Sequence, residues 1–336
     1  MNSQYTAKDF KNEQQIKWCP GCGDFAVLNC LHKAMSEIGV APADTAVISG
    51  IGCSSRLPYY MGTYGFHTIH GRGSAIATGV KVANPALSVW QITGDGDCLA
   101  IGGNHFIHAV RRNIDINIVL LNNKIYGLTK GQYSPTTERG YVTKSSPYGT
   151  IEDPFNPAEL AFGARANFFA RTIDVDLPST TECMIAAAAH KGTAVIEVLQ
   201  NCVIFTDGIH KYYSDKENRA DRTIYLRQGE KMIFGKESNK GLVLQGLDLK
   251  AVTIGEDGYT IEDILTHDAT LHDPTLHCKL AAMEGPELPL ALGIIRNVEG
   301  INYDQAVVDQ IHRVQANTQI KTFADLMMSG NVWEVK

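Results

Sequence analysis

The chain has 336 residues, 44% of them hydrophobic, and a formal net charge of −6, which is enough chain for a sizeable core in one large domain or two. Mild acidity without a Lys- or Arg-rich run argues against a nucleic-acid partner, whose phosphates need clustered cations. No apolar stretch approaches a bilayer span and the start MNSQYTAKDFKNEQQ is polar, so no membrane is expected and a cytoplasmic location is. In a reducing compartment the eight cysteines (19, 22, 30, 53, 98, 183, 202 and 278) stay reduced, and those near one another are metal ligands sooner than disulfides.

The first feature in chain order is KWCPGCGDF, residues 17–25. A Cys-x-x-Cys pair of this kind holds zinc, exchanges thiols, or supplies half of an iron–sulfur site, and two cysteines alone do not decide. DFAVLNCLHKAMSEIG then predicts a helix with Leu28, Leu31, Met35 and Ile38 on one face, Asp24 as N-cap and Gly39 as stop. The apolar runs AVISGIG, LSVWQIT, INIVLLN and TAVIEVLQ are rich in β-branched residues and read as buried strands. Between them lie the helical patterns SAIATGVKVAN, GGNHFIHAVRRN, NPAELAFGARAN and STTECMIAAAAHK. This alternation predicts an α/β fold, a mostly parallel sheet with helices on both faces. Beyond residue 207 the chain turns charged and turn-rich, with short strands at KGLVLQG and LKAVTIG and helices at DQAVVDQIHRVQAN and FADLMMSG. The expected division is a cofactor-binding domain over 1–207 and an extension over 208–336 packing on the core or on a partner.

The strongest motif is GDGD at 94–97, directly after one strand, followed by NN at 122–123, directly after the next. In a parallel sheet both turns lie at the carboxyl edge, where open α/β sheets bind ligands. Asp95 offers a carboxylate and Asn123 an amide oxygen, hard ligands suited to Mg²⁺, while Gly94 and Gly96 let the backbone approach a diphosphate. Cys53 follows the strand AVISGIG and Cys202 follows TAVIEVLQ, so both reach the same edge. With Cys19 and Cys22 they make four thiolates, the complement of a [4Fe–4S] cluster or of a structural zinc, and Cys98 competes with Cys202 for the fourth place. Two other patterns carry less. GRGSAI at 71–76 lacks the third glycine of a dinucleotide fingerprint, and His267, His272 and His277, spaced by five, do not share a helical face and read as surface or packing histidines.

GDG and NN, with the 25 residues Asp97–Leu121 between them, resemble the thiamine-diphosphate motif. Together with CPGCGDF, SGIGCSSR, HTIHGRGSAIATGVKVANP and YGLTKGQYSPTT, they make residues 17–210 resemble the β subunit of 2-oxoacid:ferredoxin oxidoreductases, most like the 2-oxoglutarate-using members (2-oxoglutarate synthase). The resemblance implies the diphosphate-domain fold and an enzyme. Its cofactors would be thiamine diphosphate, Mg²⁺ on Asp95, Asn123 and the Ile125 carbonyl, and a [4Fe–4S] cluster on Cys19, Cys22, Cys53 and Cys202, the last chosen by its context QNCVIF. Gly52, Ser54, Ser55, His70, Gly71 and Arg72 would join Gly94, Gly96, Asp97 and Gly127 around diphosphate and pyrimidine. Leu128 and Thr129 would line the thiazolium side, and Lys130 would meet a substrate carboxylate. The implied reaction is CoA-dependent oxidative decarboxylation of 2-oxoglutarate to succinyl-CoA, or its reverse as in a reductive TCA cycle, with electrons passing singly to ferredoxin. Pyruvate or a broad range of 2-oxoacids is the alternative substrate. The resemblance also implies an α subunit carrying the pyrimidine-binding domain and its glutamate, in a dimer of αβ units, with this chain inactive alone. A cluster-free thiamine decarboxylase subunit and a zinc-stabilised, non-catalytic binding module are the competing classes.

Overall fold

The computed structural model describes residues 4–333 and 335. Its main sheet is built from β1 (Thr45–Ser49), β2 (Tyr64–His67), β3 (Ser88–Gly94), β4 (Asn117–Asn122), β5 (Phe168–Ile173), β6 (Ala194–Leu199), β7 (Thr223–Leu226) and a last strand, β11 (Leu290–Asn297). The strands lie in the order β2-β1-β3-β4-β6-β5-β11-β7. The first six are mutually parallel, as expected; β11 runs antiparallel to β5, with β7 parallel to β11. Two strands from beyond residue 207 therefore extend the same sheet. A separate antiparallel sheet holds β8 (Ile233–Phe234), β9 (Lys240–Gln245) and β10 (Asp248–Thr253).

The central strands are buried at every position, which is why β1, β4 and β6 read as largely apolar runs in the sequence, β6 interrupted only by Glu197. Alternate residues serve opposite faces. Along β4, Ile118 and Leu120 join a core with Phe106, Ala109 and Val110 of α3 (Gly103–Arg112), Ala77 of α2 (Gly73–Ala83) and Ala158 of α4 (Pro157–Gly163). Val119 and Leu121 face the other way, onto Leu28, Leu31 and Met35 of α1 (Asp24–Ile38) and Cys183 and Met184 of α5 (Leu177–Ala189). Short helices α6 (Lys211–Ser214) and α7 (Arg219–Arg222) precede β7, α8 (Thr275–Ala281) precedes β11, and α9 (Tyr303–Asn317) and α10 (Phe323–Met327) follow it. Among the described residues no helix is long and apolar enough to cross a membrane.

Two expectations are corrected. Asp24 is not the N-cap of α1: Gly23 holds that place, and Asp24 is the first helical residue, buried with neither carboxyl oxygen hydrogen-bonded. Burial pushes its carboxyl up to about 7. The helix expected over 156–167 stops at Gly163, since Arg165 takes a left-handed φ of 65°. Gly39 does end α1, with φ 77°.

Candidate functional site

Because β1, β3, β4 and β6 are parallel and adjacent, the loops that follow them emerge at one edge of the sheet. The chain after β3 does not open into a loop. Residues Gly96–Ile101 form a wide π-type turn that runs into α3, a feature that recurs at functional sites. A Cβ at Gly96 would overlap the Tyr126 ring, whose hydroxyl donates to the Gly96 carbonyl at 3.0 Å.

Asp95 is buried at the head of this turn. Its Oδ2 accepts from Ser134 Oγ and Thr136 Oγ1, each at 2.5 Å. Burial raises its carboxyl above the usual range, and the two hydroxyls oppose that shift. Thr136 Oγ1 also lies 2.9 Å from Asn122 Oδ1, and Asn122 Nδ2 donates to Glu197 Oε1 at 2.8 Å. Glu197 in turn is held by Arg171 Nε at 2.7 Å, so a buried ion pair ends the chain of contacts that supports Asp95. In the next loop, Asn123 Nδ2 donates to Gln200 Oε1 at 2.9 Å and its Oδ1 accepts from the Ile125 N–H at 3.2 Å. Lys124 between them takes a left-handed φ of 57°, costly for a residue with a Cβ.

A cavity of about 300 Å³ opens on these groups, lined by Gly52, Cys53, Ser54 and His70 on one side and by Gly94, Asp95, Gly96 and Asp97 beneath. Asn123, Ile125, Gly127, Leu128 and Thr129, also expected, line its other side. Oxygen donors from Asp95, Asn123 and the Ile125 carbonyl could hold a hard divalent cation there, and the glycines leave backbone room for a diphosphate. Asp97 has a different task. Its Oδ1 accepts from the Ile51 N–H at 3.0 Å, the Gly71 N–H at 2.7 Å and His70 Nδ1 at 2.6 Å, and its Oδ2 from Thr93 Oγ1 at 2.8 Å. Both flanking loops hang from that one carboxylate.

Ser55, Gly71, Arg72 and Lys130 lie outside the lining. Ser55 is buried under its loop, where its carbonyl accepts from Ser49 Oγ. Arg72 caps α2 and reaches the Ile101 carbonyl. Lys130 is exposed, with φ 76°, and lines an adjoining cavity of about 420 Å³ that shares Ile125. Ile51, Tyr126 and Gln132 line the first cavity without having been expected, and Ser134 and Thr136 support it from behind. The hydroxyl-rich SPTT at 134–137 was their available signal.

The thiols gather beside this cavity. A Cβ placed on Gly127 would lie 3.5 Å from Cys53 Sγ and 3.8 Å from Cys202 Sγ. Burial raises the Cys22 thiol, and Asp24, Cys202 and Cys53 nearby raise it further. Burial likewise pushes Cys53 up to about 12, with Asp24, Cys202 and Cys19 adding to it. Trp18 joins the two loops: its indole N–H donates to the Cys53 carbonyl at 2.7 Å while its ring packs edge-on against Tyr60 and Phe25. Cys98 is packed in the apolar core among Ile118 and Phe106, and Cys30 and Cys183 are buried in the opposite core. His267 and His277 each hold a backbone carbonyl, of Ile294 and Asp268, as packing histidines do.

Residues 50–198 match the family described as thiamine pyrophosphate enzyme, C-terminal TPP binding domain. The chain is 46% identical over 331 residues to the 2-oxoglutarate oxidoreductase subunit KorB of Mycobacterium tuberculosis, covering 98% of this chain and 88% of that one. It is 48% identical over 208 residues to the 2-oxoacid:ferredoxin oxidoreductase 1, subunit beta, of Aeropyrum pernix, covering 62% and 65%. Among solved structures it resembles the 2-oxoglutarate:ferredoxin oxidoreductase of Magnetococcus marinus with 2-oxoglutarate, coenzyme A and succinyl-CoA bound. That likeness has a TM-score of 0.78 at 30% identity and covers 98% of this chain and 97% of that one.

Proposed function

The chain belongs to the β-subunit family of the 2-oxoacid:ferredoxin oxidoreductases, and we propose that its sheet edge holds thiamine diphosphate with Mg²⁺ beside a [4Fe–4S] cluster, for CoA-dependent oxidation of 2-oxoglutarate with ferredoxin as acceptor. One observation carries this: Gly127 lines the cavity and also stands against the sulfurs of Cys53 and Cys202, so the two cofactors would be neighbours. The choice of 2-oxoglutarate is supported by the Mycobacterium tuberculosis relative and the Magnetococcus marinus structure.

Asp95, Asn123 and the Ile125 carbonyl would hold Mg²⁺, and Gly94 and Gly96 would leave room for the diphosphate. Cys19, Cys22, Cys53 and Cys202 would bind the cluster. When bound, thiamine diphosphate supplies the electron sink for decarboxylation and the cluster takes electrons one at a time. The chain's own residues orient and enclose. Asp97 fixes the loops that carry His70 and Gly52, and Leu128 and Thr129 form the wall toward the substrate. Lys130 makes no ion pair among the described residues, so its ammonium is free to meet the distal carboxylate of a dicarboxylic substrate.

The cavity lining contains no glutamate among the described residues, and Leu128 at its mouth is 44% exposed. An α subunit supplying the pyrimidine-binding half and its glutamate would close the site, in a dimer of αβ units, and the reaction could run in either direction. The test is anaerobic co-purification with the companion chain, followed by 2-oxoacid turnover with CoA and ferredoxin. The expected result is turnover of 2-oxoglutarate by the complex and none by this chain alone. Turnover of pyruvate but not 2-oxoglutarate would overturn the substrate assignment, and full turnover by the isolated chain would overturn the shared site.

A further inference from the structure

Gln200 directly follows β6 and is fully buried, and both amide hydrogens and the amide oxygen of its side chain have partners. Nε2 donates to the Asn201 carbonyl at 2.5 Å and to Cys22 Sγ at 3.4 Å, while Oε1 accepts from Asn123 Nδ2 at 2.9 Å. An amide carries two hydrogens and one acceptor oxygen. Exchanging its N and O would set oxygen against the Asn201 oxygen and the sulfur, and NH₂ against NH₂, so only one orientation satisfies all three partners. The Gln200 backbone N–H also donates to the Asn122 carbonyl at 3.0 Å, which keeps it in register with the NN turn.

Resting on the reading above, we infer that Gln200 is a positioning residue for both cofactor sites at once: its oxygen turns Asn123 so that Oδ1 faces the cation, and its N–H stabilises the reduced cluster through Cys22. It is a ligand to neither. On the metal side, losing an outer partner of this kind costs about 10- to 100-fold in metal affinity. On the cluster side, a reduced cluster carries more negative charge on its sulfurs. An N–H donor therefore stabilises the reduced form more than the oxidised one, and its removal drives the potential more negative. Gln200 is fully buried, so no bulk water stands ready to replace the donor.

Two substitutions separate the two arms. Gln200→Met keeps the volume and removes both contacts. Gln200→Glu keeps an oxygen for Asn123 but sets a carboxylate against the sulfur. The readouts on the anaerobic complex with its companion chain are iron content, the cluster potential by EPR-monitored titration, and Mn²⁺ affinity in the presence of thiamine diphosphate. Gln200→Met is expected to retain iron, shift the potential negative and weaken Mn²⁺ binding by about 10-fold or more. Gln200→Glu is expected to shift the potential further while Mn²⁺ affinity stays within about threefold of the unsubstituted complex. Full iron with unchanged potential and unchanged Mn²⁺ affinity in Gln200→Met overturns the inference. Should neither variant assemble a cluster, the unsubstituted complex labelled with ¹⁵N at glutamine side-chain amides decides the cluster arm. Pulsed EPR of the reduced cluster is expected to show ¹⁵N coupling, and its absence overturns the N–H···S contact. An unsubstituted complex without an iron–sulfur signal instead removes the preceding functional reading, and this inference with it.

Discussion

Replacing Asp97 by Ala removes one buried carboxylate on which two loops depend. Four donors lose their acceptor: the Ile51 and Gly71 N–H groups, Thr93 Oγ1 and His70 Nδ1. Two of them have an escape. Thr93 can turn to the Gly94 carbonyl, already 3.3 Å away, and the His70 side chain is 36% exposed and can find water. The two backbone N–H groups have no other acceptor at hand among the described residues, and each stranded donor costs about 1–3 kcal/mol, so Asp97→Ala should lose about 2–6 kcal/mol of stability. Asp97→Asn keeps the oxygen that accepts three of the four bonds and should lose only about 1 kcal/mol. Urea unfolding of the isolated chain measures both, and calorimetric titration with Mg²⁺ and thiamine diphosphate should show weaker binding in the Ala variant as the loops loosen. A loss below about 0.5 kcal/mol for Asp97→Ala, or a larger loss for Asn than for Ala, would refute the reasoning.

Thr136→Val keeps the shape but removes a hydroxyl from Asp95 Oδ2, and Mn²⁺ affinity of the holo-complex should fall about 10-fold, while an unchanged value would show Asp95 held well enough by Ser134 alone. Burial lowers the His210 imidazole to about 4, and its Nε2 donates to the Asn122 carbonyl at 2.8 Å, so the folded chain keeps it neutral. That contribution is complete above the unfolded value of about 6.5 and is lost as pH falls through the folded one, a swing of about 3 kcal/mol. Between pH 7 and 4, in urea unfolding, His210→Gln should therefore lose less stability than the native chain by about that amount; equal losses would contradict the assignment. Gly96→Ala forces a methyl group into the Tyr126 ring, and should destabilise the chain by about 1–3 kcal/mol with partial recovery in the double variant carrying Tyr126→Leu. Absence of any recovery would place the strain elsewhere.

The strands that carry the site were legible because they are buried on both faces and keep few polar residues. β5 escaped notice because FFARTI has Arg171 in its middle, and only the fold brings Glu197 of the next strand across to pair with it. β2 reads as YGFH, exposed throughout at the sheet edge, with no pattern to find. β11 is broken by Gly293, at φ 91°, and by Arg296, whose guanidinium is absorbed by carbonyls of Ala166, Leu271 and His272. The cofactor edge itself was readable from GDG and NN, since strand-then-turn spacing places both at one edge. What lay beyond the sequence was division of labour among acids. Asp95 and Asp97 are two residues apart and alike in one dimension, yet one is met by the hydroxyls of Ser134 and Thr136 while the other gathers backbone N–H groups from both flanking loops. The same holds for Cys98 and Cys202, which only packing separates into core and sheet edge.

Iron and sulfide analysis with EPR on the anaerobic complex, for the native chain, Cys202→Ser and Cys98→Ser, tests the adjacency of the two cofactors most directly. The native and Cys98→Ser chains should each hold about four iron and four sulfide and give a dithionite-reduced cluster signal, while Cys202→Ser should lose it. A single zinc per native chain without iron, or a cluster that survives Cys202→Ser and vanishes in Cys98→Ser, would contradict the account.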